Sequence, residues 1–387
     1  MNKNLLLLSI AQGLFLTNNV TFIAINGLVG LSLAPVPWMA TLPVMGYVVG
    51  GALSTGIVAR SQQRFGRKVS FLLGLLVALI SAGIGAWAVL HSSFLLLVVA
   101  TVVAGYYSAN GQLYRFAAAE LCAPDYREKA VSLVMAGGLM GAIIGPNLAM
   151  HTKNWLGLPF AGAYVALAGI ALLSMAVMSY IEFPPVAPKK ASDQTGRPLN
   201  EIMRQPVFFI ATLSAALGYG VMNLLMAATP LAMQVCGMSF EDTAWVLQWH
   251  VLGMFAPGFV TGHLIKRFGV LTIMGVGVLL NIACISIALS GVDLHQFLLA
   301  SFLLGVGWNF LFTGSTTLSM QAYAPPEKDK AQAAINFCVF ATMALTSFAS
   351  GALVTTQGWT WLNWGSLPPV VITACGLLFL RFRFKEV

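Results

Sequence analysis

The sequence predicts an all-α integral membrane protein. Twelve transmembrane helices are expected, arranged as two parallel, pseudo-symmetric six-helix bundles. Three observations carry this. Of 387 residues, 58% are hydrophobic and only 8% charged, against about 25% charged in a soluble domain. Apolar stretches of about 20 residues, enough for a helix to cross hydrocarbon, recur along the whole length. The second half also repeats short signatures of the first at a nearly constant offset.

The spans fall at 5–32, 37–59, 69–90, 93–119, 130–152, 157–181, 207–235, 242–264, 270–291, 295–321, 331–356 and 360–381. The chain starts "MNKNLLLLSIAQGLFL", a charged start before an apolar run. The run continues past Asn26 with no small-residue cleavage site that stands out, so it is read as a retained first span rather than a signal peptide. The longest polar stretch, "IEFPPVAPKKASDQTGRPLNEIMRQP" at 181–206, is rich in proline and charge and reads as a surface linker. It divides the chain into an N-terminal bundle (1–181), a cytoplasmic linker (182–206) and a C-terminal bundle (207–387).

Charge sets the expected orientation. With the N-terminus inside, 18 of the 20 Lys and Arg lie on the cytoplasmic side, in the loops after spans 2, 4, 6, 8 and 10 and at both termini. Lys153 alone lies outside, and Arg115 lies within a span. This follows the positive-inside rule and predicts a multi-pass protein of the cytoplasmic (inner) membrane with both termini cytoplasmic. It also explains the net charge of +8 without a nucleic-acid partner. The five cysteines are scattered and form no CxxC pair, so neither metal nor disulfide is indicated and no cofactor is expected.

The repeat is specific. "LSIAQGLFLTN" from Leu8 aligns with "LSAALGYGVMN" from Leu213, pairing Gly13 with Gly218 and Asn18 with Asn223. Arg-Phe-Gly triplets start at 64 and 267, and "APDYREKA" from Ala123 matches "APPEKDKA" from Ala324. The offsets are 205, 203 and 201 residues. Six spans per half give both halves one orientation, so the repeat axis runs along the membrane normal. Such halves enclose a site near the midplane and rock about it.

After span 2 the sequence reads "ARSQQRFGRK". Gln63, Arg64, Phe65, Gly66, Arg67 and Lys68 resemble the second part of the G-x-x-x-D-R-x-G-R-K signature of the major facilitator superfamily. Gly66 suits a tight turn, and the cations sit at helix ends. The usual Asp is Gln63 and the first Gly is Ala59. In the second half Gly262 matches the first Gly, Lys266 replaces the Asp, and Arg267 and Gly269 follow. The superfamily's charge lock therefore needs another anion, with Glu120, Asp125 and Glu128 as candidates. Span 5 carries Gly141-x-x-x-Gly145-Pro146, which resembles the core of the superfamily's antiporter motif and implies close helix packing, a bend, and export. Its trailing glycines are replaced by Ala149 and Met150, and span 11 has Thr346 and Ser347 instead.

The resemblance implies that spans 1, 4, 7 and 10 line a central cavity, and these spans are polar here. In span 4, Gly105, Ser108, Gln112 and Arg115 share one stripe at helical spacing. Tyr106, Asn110 and Tyr114 form an adjacent one, with Tyr107 between. An intramembrane arginine is a functional candidate, for an anionic substrate or a moving carboxylate, or else it snorkels to the surface. Span 1 offers Gln12, Asn18, Asn19 and Asn26; span 7, Tyr219 and Asn223; span 10, Trp308, Asn309, Thr313 and Thr317. These groups either line the cavity or bond across helices as packing glue. In span 8, Trp249 could stack on a flat ligand or anchor at the interface. His250 suits proton transfer or a neutral interhelical bond. No Asp or Glu lies near the middle of any span, leaving His250 and Glu120 as proton-coupling candidates.

No Walker loop, HExxH or GxSxG occurs, so no enzyme is predicted. The leading expectation is a monomeric secondary active transporter of a small organic solute, working by alternating access as a proton-coupled exporter. Its partners are an anionic or amphipathic small molecule, protons and the lipid bilayer. Uptake or facilitated diffusion of an organic anion is the alternative. A non-transporting receptor on a transporter fold is a third, disfavoured by the lack of a large sensory loop.

Overall fold

The computed structural model describes residues 3–123, 127–184, 196–324 and 327–383. The helices are α1 (Lys3–Leu33), α2 (Leu42–Leu90), α3 (Phe94–Gly111), α4 (Tyr114–Glu120), α5 (Arg127–Thr152), α6 (Ala161–Ser179), α7 (Leu199–Met203), α8 (Pro206–Val235), α9 (Phe240–Phe255), α10 (Gly258–Phe268), α11 (Val270–Ser290), α12 (Leu294–Ser319), α13 (Lys328–Thr356) and α14 (Gly358–Arg383). A 3-10 turn, Pro37–Met39, precedes α2.

Twelve crossings follow once three features are read. α2 carries spans 2 and 3 and stays helical through "ARSQQR", where the sequence reading placed a loop; only Gly66 leaves helical geometry, at φ 81° and ψ 172°. Span 4 is split into α3 and α4 around Gln112 and Leu113. Span 8 is split into α9 and α10 at Ala256 and Pro257. The second break has a chemical cause. Pro257 has no N–H and cannot continue the helical ladder. Its missing N–H leaves the Gly253 carbonyl without its helical donor; the next carbonyl, that of Met254, accepts from Asn309 Nδ2 at 2.7 Å, and Thr261 Oγ1 donates to Asn309 Oδ1 at 2.7 Å.

The two halves repeat each other in detail. Gly269, between α10 and α11, sits at φ 84° and ψ 150°, the counterpart of Gly66. Arg64 lies over the Phe65 ring at 5.2 Å, and Arg267 over Phe268 at 5.2 Å. Within the N-terminal half α1 packs on α5, where Thr21 Oγ1 lies 2.9 Å from the Gly145 carbonyl. Within the C-terminal half α8 packs on α13, where Asn223 Nδ2 donates to Thr346 Oγ1 at 3.0 Å and Ser347 Oγ at 2.8 Å. Small residues permit the closest approaches. A Cβ on Gly105 of α3 would collide with the backbone of Gly50 and Gly51 in α2, the small-residue contact expected between membrane helices.

The halves meet at the end away from Arg67 and Arg267. There the Gly351 N–H donates to Thr41 Oγ1 at 3.0 Å, and Trp38 meets Phe348 edge-on at 5.8 Å. Asn147 Nδ2 donates to Gln248 Oε1 at 3.2 Å, and Phe160 packs on Phe240 at 5.0 Å. Lys153 Nζ lies over both rings, at 5.6 and 5.3 Å.

At the basic end the linker is more than a tether. Its last part folds as α7, with Ile202 fully buried against Phe208, Ala322 and Ala331. Arg197 makes a bidentate pair with Glu327, Nε to Oε1 at 2.8 Å and Nη2 to Oε2 at 2.7 Å. Glu327 also accepts from the Arg197 and Ala324 N–H groups. Lys330 donates to the Gly196 carbonyl at 2.9 Å and to that of Arg197. The Arg197 guanidinium and the Ala324 N–H hold the Glu327 carboxyl down at about 2. A carboxyl lowered on folding contributes stability that is present above its ordinary value near 4.5 and lost as pH falls toward 2. Glu327→Gln is therefore expected to lower the melting temperature by several degrees at pH 7. In thermal unfolding across a pH series, the gap to wild type should narrow below about pH 4.5 and close near pH 2.

Candidate functional site

The structure sorts the predicted polar residues into three groups. The first is spent inside a bundle. Asn110 is fully buried; its Nδ2 donates to the Tyr106 carbonyl at 3.1 Å and its Oδ1 accepts from Ser70 at 3.0 Å. Asn26 accepts from the Tyr164 hydroxyl at 2.8 Å and donates to the Phe22 carbonyl. Asn223 fastens α8 to α13, and Asn309 caps the break in span 8. Asn18 lines a crevice with Ser81 and Tyr107 that has room for about one water. Of the two roles expected for Asn110, Asn223 and Asn309, the hydrogen bonds they make are those of helix-to-helix packing. A buried amide without partners would cost more than the bond it makes.

The second group does not gather with the others. Gln112 is exposed, because the stripe it shared with Ser108 and Arg115 crosses the α3–α4 break. Trp249 is 38% exposed and meets Phe302 edge-on at 5.9 Å. His250 is buried, with Nδ1 2.7 Å from the Ser301 carbonyl on α12. A carbonyl only accepts, so Nδ1 carries the proton and a neutral ring leaves Nε2 as a bare acceptor, which has no partner among the described residues. Asn19 is half-buried.

Glu120 forms a bidentate pair with Arg67, Nη2 to Oε1 at 2.6 Å and Nε to Oε2 at 3.1 Å. Arg67 also contacts Gln62, and Lys68 donates to the Ser179 carbonyl at 2.6 Å. Glu120 thus stands opposite Arg67, with Gln63 exposed beside it. Of the other anions considered, Asp125 lies outside the described residues, and Glu128 lies in the first turn of α5. In the second half, Gly262 and Lys266 are exposed. Gly141 and Gly145 press against Leu16, Thr17 and Val20 of α1, so both are packing notches within one bundle; Pro146 is buried beside them.

The third group converges where the bundles face each other. Trp308 and Phe312 lie parallel on α12, centroids 5.1 Å apart and planes 9° off. Tyr219 of α8 stands perpendicular to both, at 5.2 and 5.4 Å. From the N-terminal bundle, the Arg115 guanidinium and the Tyr47 phenol come within Coulombic reach of the Tyr219 hydroxyl. Arg115 lies over its own neighbour Phe116 at 4.8 Å, and its Nε is buried without a hydrogen-bond partner among the described residues. The same holds for Trp308 Nε1. Tyr47, Phe312 and Phe255, which packs on Trp308 at 6.2 Å, were missed in the sequence. An aromatic in an apolar helix carries no signal until its neighbours are known.

Two helical bundles in one orientation with buried donors between them are the arrangement of membrane transporters built from parallel repeats. The sequence matches the Major Facilitator Superfamily over residues 5–256 and again over 212–387, and the chain belongs to that superfamily. It is similar to the riboflavin transporter RfnT of Brucella anthropi, 38% identical over 99% of this chain and 96% of that protein. It is 27% identical to the uncharacterised transporter YddS of Bacillus subtilis, over 81% of this chain and 75% of that one. Among solved structures, the nucleoside transporter NupG superimposes with a TM-score of 0.75 at 12% identity, covering 98% of this chain and 100% of that one. A bacterial homologue of the lysosomal transporter Spinster gives 0.73 at 17%, covering 99% and 97%. Both are likenesses of fold.

Asn309→Ala strips the Met254 carbonyl and the Thr261 hydroxyl of a buried partner. It is expected to destabilise the protein by about 1–2 kcal/mol, measured as a fall in melting temperature in detergent.

Proposed function

We propose that the chain carries riboflavin, or a flavin with the same ring system, across the cytoplasmic membrane by alternating access. The observation that carries this reading is the 38% identity, over nearly the whole of both chains, to a riboflavin transporter. The site supports it: aromatic faces beside unspent N–H donors suit a flat, uncharged ring with carbonyl acceptors. The unpaired Arg115, first read as a sign of an anion, serves such a carbonyl equally well as a donor. The basic end is taken as cytoplasmic, with Lys153 outside. No described span carries a carboxylate at its middle, so the flavin's own gradient is the proposed driving force, in the direction of uptake when the cell consumes the flavin.

A second reading, proton-coupled export, rests on Gly141, Gly145 and Pro146. It would use His250 or Glu120 as the proton carrier.

In proteoliposomes, saturable riboflavin flux is expected with no imposed pH gradient. Arg115→Ala should lower its initial rate about tenfold, the loss of one hydrogen bond to a charged donor. An imposed proton gradient that drives riboflavin uphill, and fails to do so in His250→Ala or Glu120→Gln, would favour the second reading. The absence of riboflavin flux would refute the flavin reading.

A further inference from the structure

We infer that Tyr219, Trp308 and Phe312 form the subsite for the ring face of the flavin, with Arg115 and the Trp308 indole N–H serving its carbonyl edge. This inference rests on the flavin reading above. The geometry is that of a corner. Trp308 and Phe312, four residues apart on one helix face, lie within 9° of one plane direction. Tyr219 closes the corner from the neighbouring helix at 89° to Trp308 and 83° to Phe312. The three rings thus offer a surface for stacking and an edge perpendicular to it, the two arrangements that aromatic pairs prefer.

The polar groups at this corner are unspent. Trp308 Nε1 is a donor only, and it is buried with no partner among the described residues. Arg115 Nε is in the same condition, on the opposite bundle. A buried donor left unpaired costs free energy that an arriving acceptor restores. A flat ring bearing two carbonyls beside an N–H matches two buried donors, one from each bundle, beside an aromatic corner. A ligand without a ring would satisfy the donors and leave the aromatic corner unused. A ring without carbonyls would do the reverse. Because Arg115 and Trp308 come from different bundles, a ring bound here would touch both, and its arrival would register on the rocking motion itself.

The test uses flavin fluorescence, which is quenched when the ring stacks on indole or phenol. Riboflavin is titrated into the purified full chain in detergent, and riboflavin flux is measured in vesicles in parallel. Wild type is expected to quench riboflavin emission, and lumiflavin, the ring without the ribityl chain, to compete while ribitol does not. Trp308→Leu and Tyr219→Leu should each weaken binding about tenfold or more, the scale of one lost ring-on-ring stack. Trp308→Phe should keep part of it. Trp361→Leu, an exposed tryptophan elsewhere, should bind as wild type. Monodisperse gel filtration confirms that each variant is folded. If riboflavin is carried but Trp308→Leu and Tyr219→Leu both bind and quench as wild type does, the subsite is wrong and the flavin reading stands. Competition by ribitol and not by lumiflavin would also overturn it. If wild type neither binds nor carries riboflavin, the flavin reading fails and the subsite falls with it.

Discussion

The constraint that organises this molecule is the backbone's need for hydrogen bonds in a solvent that offers none. Inside hydrocarbon each unpaired N–H or carbonyl costs several kcal/mol, so the chain is helical wherever it crosses. The exceptions carry their own remedy. At Pro257 the helix stops, and a side chain from another helix, Asn309, takes the Met254 carbonyl. At Gly66 and Gly269 the chain turns through positive φ at the basic end, where the glycines bear no strain. Much of the buried amide content is therefore structural. It fastens α2 to α3, α1 to α6, α8 to α13 and α9 to α12, in each case within one bundle.

Buried polar atoms stay unpaired among the described residues both inside the bundles, as at His250 Nε2, and on helices that face across the seam. Arg115 Nε on one side and Trp308 Nε1 on the other are buried donors with no partner among the described residues. The contacts that hold the seam are of a different kind. Thr41 with Gly351, Asn147 with Gln248 and Lys153 over Phe160 and Phe240 lie at one end. They are single hydrogen bonds and ring contacts, each of modest energy. Weak contacts at one end of two stiff bodies are what a rocking transporter requires. Strong ones would trap a single state.

The sequence disclosed the fold well, for physical reasons. A span must be long and apolar, its flanks must carry cations, and a duplicated bundle must repeat its turns, so the offset between Gly66 and Gly269 could be read directly. The breaks in spans 4 and 8 were less visible, because a helix in lipid tolerates proline and glycine when a neighbour caps it, and that neighbour is 55 residues away for Met254 and Asn309. The docked linker was missed because Arg197 and Glu327 are 130 residues apart. The proposed site was half legible. Arg115, Tyr219 and Trp308 stood out as polar or amphipathic groups in cavity-lining spans. Asn110, Asn223 and Asn309 stood out on the same grounds, as cavity lining or packing glue, and each bonds to another helix; one-dimensional spacing cannot say which way a buried amide finds its partner. Tyr47 and Phe312 gave no signal at all.

The central claim is that two rigid bundles exchange which end is closed. It is tested most directly by spin-label distances across the seam in a cysteine-free background. One pair, Leu156→Cys with Glu241→Cys, reports the end now held by Phe160 and Phe240. The other, Ala123→Cys with Gln321→Cys, reports the basic end. The account predicts that conditions lengthening the first distance shorten the second, so that the two populations change in opposition. Riboflavin flux with both distances unchanged, or lengthening together, would contradict it.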